Sequence, residues 1–371
     1  MHIKRFENYN FQRNCLIFFD AFERETESHL RDYFLEYLME LTEFLRLKNL
    51  TVFCLPIYNQ SFGKDHTHYE SSLSYLFDYF KKKYNTEILS ELSSIEEKNN
   101  KRNVFLLHPS LANLQILFSL NLDGFIIDSY KFFIESQKDS FFNKIDKNKI
   151  TLSSQVYETI QILEQILSNK TKPKLCILGG NQIQESIQFL SNTVKYFQNL
   201  LLGGSIGITA LKANAVDVGN SPYSSEELSD MFQIMNKAEF EECEVNLPID
   251  HLVTEKIVNT AKLKTSPKEI SSPFIAVDIG SKTIQNFENK IKETNLVLMH
   301  GPLGVLELEK AQGGTLQILK TIHKLQKPKI ISGISLCDFA IKNKIHGKFV
   351  PDFEFTKQFF NPNSKLFKFL N

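Results

Sequence analysis

Met299-His300-Gly301-Pro302-Leu303-Gly304-Val305-Leu306-Glu307-Leu308-Glu309 is the stretch from which the rest of the chain can be read. It follows Leu296-Val297-Leu298, an apolar run that reads as a buried strand. The order is strand, then a tight turn whose Gly301 and Gly304 carry no side chain. A glycine-bearing turn at the rim of a parallel sheet is where α/β folds bind ligands. Glu307, just past the turn, could accept hydrogen bonds from a ribose. A plain strand-to-helix turn leaves the same short pattern, so on this stretch alone both readings stand.

Working outward, 371 residues suggest about two domains, each able to bury its own core. Hydrophobic residues make up 42% and charged residues 23%, as in an ordinary globular protein. The 43 basic and 43 acidic residues cancel, which argues against a nucleic-acid or anionic-membrane partner. Cys15, Cys54, Cys176, Cys243 and Cys337 are scattered and lack metal-ligand spacing, so free, buried thiols are expected. No run approaches the roughly 18–20 apolar residues of a membrane span, and no apolar signal region follows Met1. A cytoplasmic monomer is the expectation.

In the first half, Cys15–Asp20, Leu50–Leu55, Val104–Leu107 and Gly124–Asp128 read as strands. Pro56 is expected to stop the second of them. Helical spacing joins Leu30, Phe34, Leu38, Leu41 and Leu45, then Leu73, Leu76, Phe77 and Phe80, with a shorter helix over Ala112–Leu120. Alternating strands and helices imply a parallel sheet with crossover helices. Asp65, His66 and His68 lie in a polar loop without a further metal partner, so a solvated loop is expected. Tyr79 to Tyr84 mixes aromatics with lysines and reads as a solvated helix end. Residues 151–168 form a candidate long helix, with Val156, Ile160, Leu163, Ile166 and Leu167 on one face.

In the second half, Lys174–Leu178 ends in Gly179-Gly180 and Leu200–Leu202 ends in Gly203-Gly204. Both units place bare backbone where a flat ligand could lie against the main chain. Leu247–Asp250 reads as a strand end, Phe274–Gly280 as a strand leading to Ser281-Lys282-Thr283, and Lys329–Gly333 as a last strand.

This series resembles phosphoglycerate kinase. The landmarks are Leu178-Gly179-Gly180; Gly203-Gly204 with Thr209, Leu211-Lys212-Ala213 and Gly219; Leu247-Pro248-Ile249-Asp250; Val277-Asp278-Ile279-Gly280 with Lys282-Thr283; Gly301–Val305 with Glu307 and Glu309; and Gly314-Thr315. No one of them is decisive, but the series is specific. The resemblance implies an α/β fold of two doubly wound, parallel-sheet (Rossmann-like) domains joined by a long helix. It implies an N-terminal domain over 1–155 for 3-phosphoglycerate, the helix over 156–172, and a nucleotide domain over 173–345 for MgATP or MgADP. Residues 346–371 are expected to pack back on the first domain.

The departures from the family pattern bear on activity. Phosphoryl transfer rests on positioning and on cations around the transferred group. The family's first-strand motif, Arg-Val-Asp-Phe-Asn, matches Phe18–Phe22 and keeps only Asp20. Its Ser-His-Leu-Gly-Arg loop matches Leu55–Asn59 without the arginine. Its Glu-Asn-x-Arg-Phe motif falls near His108–Ala112, again without arginine, and Glu135 stands at a substrate arginine. Arg31 aligns with one remaining family arginine. Each lost charge-assisted bond removes roughly 1.5–3 kcal/mol. In the second domain, Asn181–Ser186 replaces a segment carrying two lysines. Ser332–Leu336 replaces the Gly-Gly-Gly-Asp turn, with Ser335 at the Mg²⁺-binding aspartate, and Lys348–Phe353 replaces a glycine-rich loop. His300 replaces an asparagine.

What remains is an adenosine-facing set, Gly179, Gly180, Gly203, Gly204, Pro302 and Glu307, with Asp20 and Arg31 as remnants of a substrate site. No catalytic residue and no metal ligand is assigned. The favoured reading is a catalytically inactive family member that retains, at most, adenine-nucleotide binding with Mg-ATP or ADP and serves an unknown protein partner. The alternatives are a divergent but active phosphoglycerate kinase of glycolysis and a nucleotide-binding or phosphotransfer protein with a different substrate. For a non-catalytic protein the Phe-rich run from Phe353 to Phe369 is a candidate partner surface, the competing reading being that it packs inward.

Overall fold

The computed structural model describes residues 4–22, 28–57, 69–91, 97–98, 101–107, 122–135, 147–168, 170–364 and 366. The chain divides into two compact units, Met1–Ile160 with Glu354–Asn371, and Gln161–Phe353.

Unit 1 begins with β1 (Lys4–Arg5), β2 (Asn14–Asp20), α1 (Ser28–Leu47), β3 (Thr51–Ile57) and α2 (Tyr69–Tyr84). It continues with β4 (Ile88–Leu89), β5 (Val104–Leu107), β6 (Phe125–Asp128), α3 (Tyr130–Glu135) and β7 (Ile150–Leu152). These strands form one sheet in the order β1-β7-β6-β2-β3-β5-β4, parallel at every pairing. β2 and β3 are buried along their whole length, as strands covered on both faces must be. The α1 stripe of Leu30, Phe34, Leu38, Leu41 and Leu45 is buried as its spacing requires. Leu38 and Leu45 pack with Leu76 and Phe80 of α2 against Ile17, Val52 and Cys54 of the sheet. Phe80 and Tyr84 turn inward while Lys81, Lys82 and Lys83 stay exposed, so this stretch is the wetted end of α2.

Several local expectations are corrected. Pro56 does not stop β3, because alternate residues of a parallel strand face opposite neighbours. Ile57 turns its carbonyl to β2, accepting from Ala21 N at 2.9 Å. Pro56 therefore faces β5, where the paired residues end at Cys54↔Leu106, so its missing N–H interrupts no paired residue. Residues 151 and 152, read as helix, belong to β7, and α4 (Ser154–Leu167) starts after it. The division between the units falls inside α4. Asp65, His66, His68, His108–Ala112 and the Ala112–Leu120 helix lie outside the described residues.

Unit 2 continues with β8 (Lys174–Leu178), α5 (Ile183–Thr193), β9 (Asn199–Leu202), α6 (Gly204–Ala213), α7 (Leu228–Phe240) and β10 (Glu244–Asn246). Then come β11 (Asp250–Thr254), β12 (Lys264–Pro267), β13 (Ile275–Ile279), α8 (Ser281–Lys292) and β14 (Leu296–His300). The last elements are α9 (Gly313–Lys324), β15 (Lys329–Ser332), α10 (Ile334–Lys342), β16 (Lys348–Val350) and α11 (Phe353–Phe359), at whose first residue unit 2 ends. The main sheet runs β10-β9-β8-β14-β15-β16, all parallel. A second sheet, β12-β11-β13, is antiparallel. Leu247–Ile249 therefore precedes a strand that begins at Asp250, and Ile275–Ile279 lies outside the main sheet.

All five cysteines are buried and unpaired. The Phe-rich tail is no exposed patch where it is described. Phe355 packs on Tyr130 and Phe133 of unit 1, and Phe359 and Phe360 are also buried. Phe367 and Phe369 lie outside the described residues. No helix among the described residues is long and apolar enough to cross a membrane.

Candidate functional site

In unit 2 the chain starts at β8, moves to β9 on one side and later returns to β14 on the other. The direction of winding therefore reverses between β8 and β14, which opens a crevice at their carboxyl ends. Leu178 pairs with His300 and with Leu202, and His300 with Ser332, so four turns gather along one edge. They are Gly179-Gly180, Gly203-Gly204, Gly301-Pro302 and Gly333.

The turns are knitted to each other by their own backbones. Gly179 N donates to His300 O at 2.8 Å and Gly180 N to Pro302 O at 2.6 Å. Gly203 N donates to Leu178 O at 2.8 Å and Gly204 N to Leu303 O at 3.2 Å. Side chains have no room at two of these close approaches where φ is also positive. Gly204 has φ +53°, and a Cβ there would sit 2.7 Å from Gly180 N. Gly301 has φ +72°, and its Cβ would meet the Gly179 carbonyl carbon at 2.7 Å. The four expected glycine amides are thus occupied within the protein.

Beyond the turns lies a cavity of about 430 Å³, in the range of small-molecule sites. Gly180, Gly204, Pro302 and Glu307 line it, whereas Gly179 and Gly203 are not among its walls. Glu307 stands exposed at the rim. Ile208, Pro248, Ile257, Val277 and Leu306 supply apolar walls, and Asn181, Ser205, His251 and Ser335 supply polar groups. No Lys or Arg is among the described lining residues.

Buried carboxylates hold this edge in shape. Asp250 accepts from Lys282 N (3.0 Å), Thr283 N (2.8 Å) and Thr283 Oγ1 (2.7 Å), at the start of α8. Burial pushes its carboxyl up, but these donors outweigh burial and hold its pKa below the ordinary value. Asp278 accepts from Gly314 N at 2.7 Å and Ile279 N at 2.9 Å, and here burial wins, raising its pKa to about 7. Thr315 Oγ1 accepts from Leu303 N at 3.0 Å and Gly304 N at 3.3 Å, which fixes the turn after β14.

The carboxyl end of β15 is closed by aromatic rings. Gly333 has φ +99°, and a Cβ there would lie 3.2 Å from the His300 ring. Phe353 stacks on that ring at 3.5 Å between centroids and 7° between planes, and Phe189 adjoins Phe353 at 5.2 Å. Ser335 occupies the second position of α10 with a neutral hydroxyl. Among the described residues, no three His, Cys, Asp or Glu side chains converge so as to hold a metal ion. Mg²⁺ is a hard cation that favours carboxylate oxygens, and at the head of α10 Ser335 offers a hydroxyl where a carboxylate would serve it.

In unit 1 the winding also reverses, between β2 and β6, and Asp20 ends β2 there. Asp20 is 6% exposed and accepts from Ser129 Oγ (2.5 Å), Tyr130 N (3.0 Å) and Lys131 N (3.1 Å) at the start of α3. Burial pushes its pKa up, against the pull of Lys131 and these donors. Lys131 Nζ donates to Ala21 O at 2.8 Å and lies 4.8 Å from the Phe22 ring centre. Asp128, buried beside it, is raised to about 8 by burial and, to a lesser degree, by the Asp20 charge. Arg31 pairs with Asp32 at 3.2 Å and covers the Tyr75 ring at 4.5 Å. Sequence reading assigns no site role to Lys131 or His251 and names Phe353 only as the start of a candidate partner surface. Phe353 ends the segment matched to the family's glycine-rich loop, and the burial of Lys131 and Phe353 was not readable from either stretch. His251, next to Asp250, carried no pattern of its own.

A family model described as phosphoglycerate kinase matches residues 82–350. The chain belongs to the phosphoglycerate kinase family. Phosphoglycerate kinase from Leptospira biflexa is 33% identical over 175 residues, 47% of this chain and 44% of that protein. The Pseudothermotoga lettingae enzyme is 32% identical over 176 residues, again 47% and 44%. These matches span less than half the length of either relative. Among solved structures, phosphoglycerate kinase from Coxiella burnetii aligns with a TM-score of 0.77 at 16% identity. It covers 99% of this chain and 98% of that one. The Pyrococcus horikoshii phosphoglycerate kinase gives 0.72 at 15% identity, with the same coverage. At such identity the likeness speaks for the fold, the two-domain α/β architecture of phosphoglycerate kinases.

Proposed function

We propose that this protein is a phosphoglycerate kinase family member that does not transfer a phosphoryl group and keeps a weak adenosine site in unit 2. The observation that carries this reading is the ring stack of His300 and Phe353 beside Gly333. In the family the corresponding turn offers backbone amides to phosphate and an aspartate to Mg²⁺. Here the His300 ring, backed by Phe353, lies against Gly333, and a serine replaces the aspartate. An anion needs exposed amides or cations, whereas Gly333 N already donates to Val350 O at 3.0 Å and His300 Nδ1 lies 3.2 Å from Ser332 O. The described cavity walls, without Lys or Arg, support the same reading.

The remnants of the substrate site agree. The Asp20 carboxylate is used in capping α3, and Lys131 is turned to a backbone carbonyl. Unit 1 is accordingly proposed as a former 3-phosphoglycerate domain and unit 2 as a former nucleotide domain. Gly180, Gly204, Pro302 and Glu307 are proposed to face the nucleoside, with Gly179 and Gly203 shaping the turns behind them. A protein partner of unstated identity remains part of the proposal, as does cytoplasmic residence.

Calorimetry on the full chain tests the nucleotide half of this reading. Adenosine and ADP are expected to bind within about threefold of each other, and Mg²⁺ to change neither. ADP binding that tightens tenfold or more with Mg²⁺ would show a working phosphate site and refute the proposal.

A further inference from the structure

The helix α7 carries apolar residues on two sides, where a surface helix needs one apolar stripe. Met231, Ile234 and Ala238 are buried. Phe232, Asn236 and Phe240, four residues apart, share the outer side. Phe240 is 86% exposed and Phe232 is 49% exposed. Single exposed apolar residues are ordinary, but these two border a hollow. Beside the end of α7 and β10 lies an open cavity of about 480 Å³. Met235, Val245 and Leu247 give it apolar surface, and Glu239, Glu242 and Glu244 give it charge. No Lys or Arg is among its described lining residues.

The surrounding stretch is acidic as well. Residues 226–244 hold seven acidic side chains and one basic one, Lys237, in a chain whose net charge is zero. Lys237 is turned elsewhere, donating to Ser191 O at 2.6 Å. Lys290 pairs with Glu244 at 2.5 Å, and Glu239 and Glu242 have no ion pair among the described residues.

We infer that this hollow docks a segment of a partner protein that bears an apolar anchor flanked by Lys or Arg. Charge complementarity names the occupant. Unpaired carboxylates around an apolar surface repel an acidic segment and draw in a cationic one. The two phenylalanines and the apolar lining then receive its apolar face, as a groove receives an amphipathic helix. A small cation or a polyamine would leave both rings in water. The cavity shares no lining residue with the crevice at β8 and β14, so the inference stands whether or not that crevice holds a nucleotide.

The test is calorimetric titration of the full chain with three capped synthetic peptides of one length. They are an amphipathic Leu/Lys helix, its Leu/Glu counterpart, and a Ser/Lys peptide with the charge but no anchor. The Leu/Lys peptide should bind at least about tenfold more tightly than either of the others. Phe240→Ala should weaken it about tenfold, and so should Glu239→Gln combined with Glu242→Gln, which should also flatten its salt dependence. All three side chains are exposed, so these variants keep the fold. Leu47→Ala, which removes a 69% exposed side chain from α1 of unit 1, should leave binding unchanged. Four results overturn the inference: no binding of the Leu/Lys peptide; a comparison peptide that binds as tightly; binding unmoved by Phe240→Ala or by the paired glutamate changes; or a loss with Leu47→Ala as large as with Phe240→Ala.

Discussion

Asp250 and Asp278 are buried within one edge of unit 2 and meet opposite electrostatic outcomes. Asp250 gathers amide and hydroxyl donors from Lys282 and Thr283 and stays ionised. Asp278 has the amides of Gly314 and Ile279, and burial raises its pKa to about 7. Its unfolded value is about 3.9, so between about pH 4 and pH 7 the folded state holds a proton that the unfolded state has lost. The contribution of Asp278 to stability therefore falls as pH rises through that window. Asp278→Asn removes the titration. Urea unfolding from pH 4 to pH 8 should show the variant gaining on wild type by up to about 1.4 kcal/mol per pH unit until pH 7, then levelling off. A difference that is flat with pH would contradict the assignment.

These residues also explain what could be read at this scale. The motifs that carried the resemblance, such as Leu247–Asp250, Val277–Gly280 and Gly314-Thr315, turn out to bind one another. They hold turns together, and such bonds do not depend on cations at the edge. The sequence could not reveal that the glycine amides donate to neighbouring carbonyls, because that depends on strands far apart in the chain. His251 was invisible for the same reason: a histidine gains meaning only from the cavity it faces.

At the scale of elements, long apolar strands and striped helices were readable, because burial on both faces or on one stripe leaves a continuous signal. The short strands β7, β12 and β16 were not. Lys264-Thr265-Ser266-Pro267 has no apolar alternation, and it is a strand only because β11 offers it an antiparallel edge. The head of α10 is the element on which the proposed function turns. Phe353 is 6% exposed and wedged between the rings of His300 and Phe189. Phe353→Ala should destabilise unit 2 by about 3 kcal/mol in urea unfolding, the cost of an emptied aromatic site. A loss below about 0.5 kcal/mol, typical of a surface position, would mean that the stack does not close this turn.

At the scale of the whole molecule, the fold followed from the order of landmarks, and a TM-score of 0.77 to a phosphoglycerate kinase over 99% of the chain agrees. On the proposed reading, function separates from fold at the level of charge. Two anionic substrates approach each other only where cations or aligned amides offset their repulsion. In this chain Arg31 is drawn to Asp32, Lys131 to a backbone carbonyl, and the described walls of the unit 2 cavity carry no Lys or Arg. The most direct measurement is an NADH-coupled assay of the purified full chain with Mg-ATP and 3-phosphoglycerate, run beside an active family member. The account predicts no NADH oxidation above the protein-free rate at any substrate concentration. Saturable oxidation that scales with the amount of protein would contradict it.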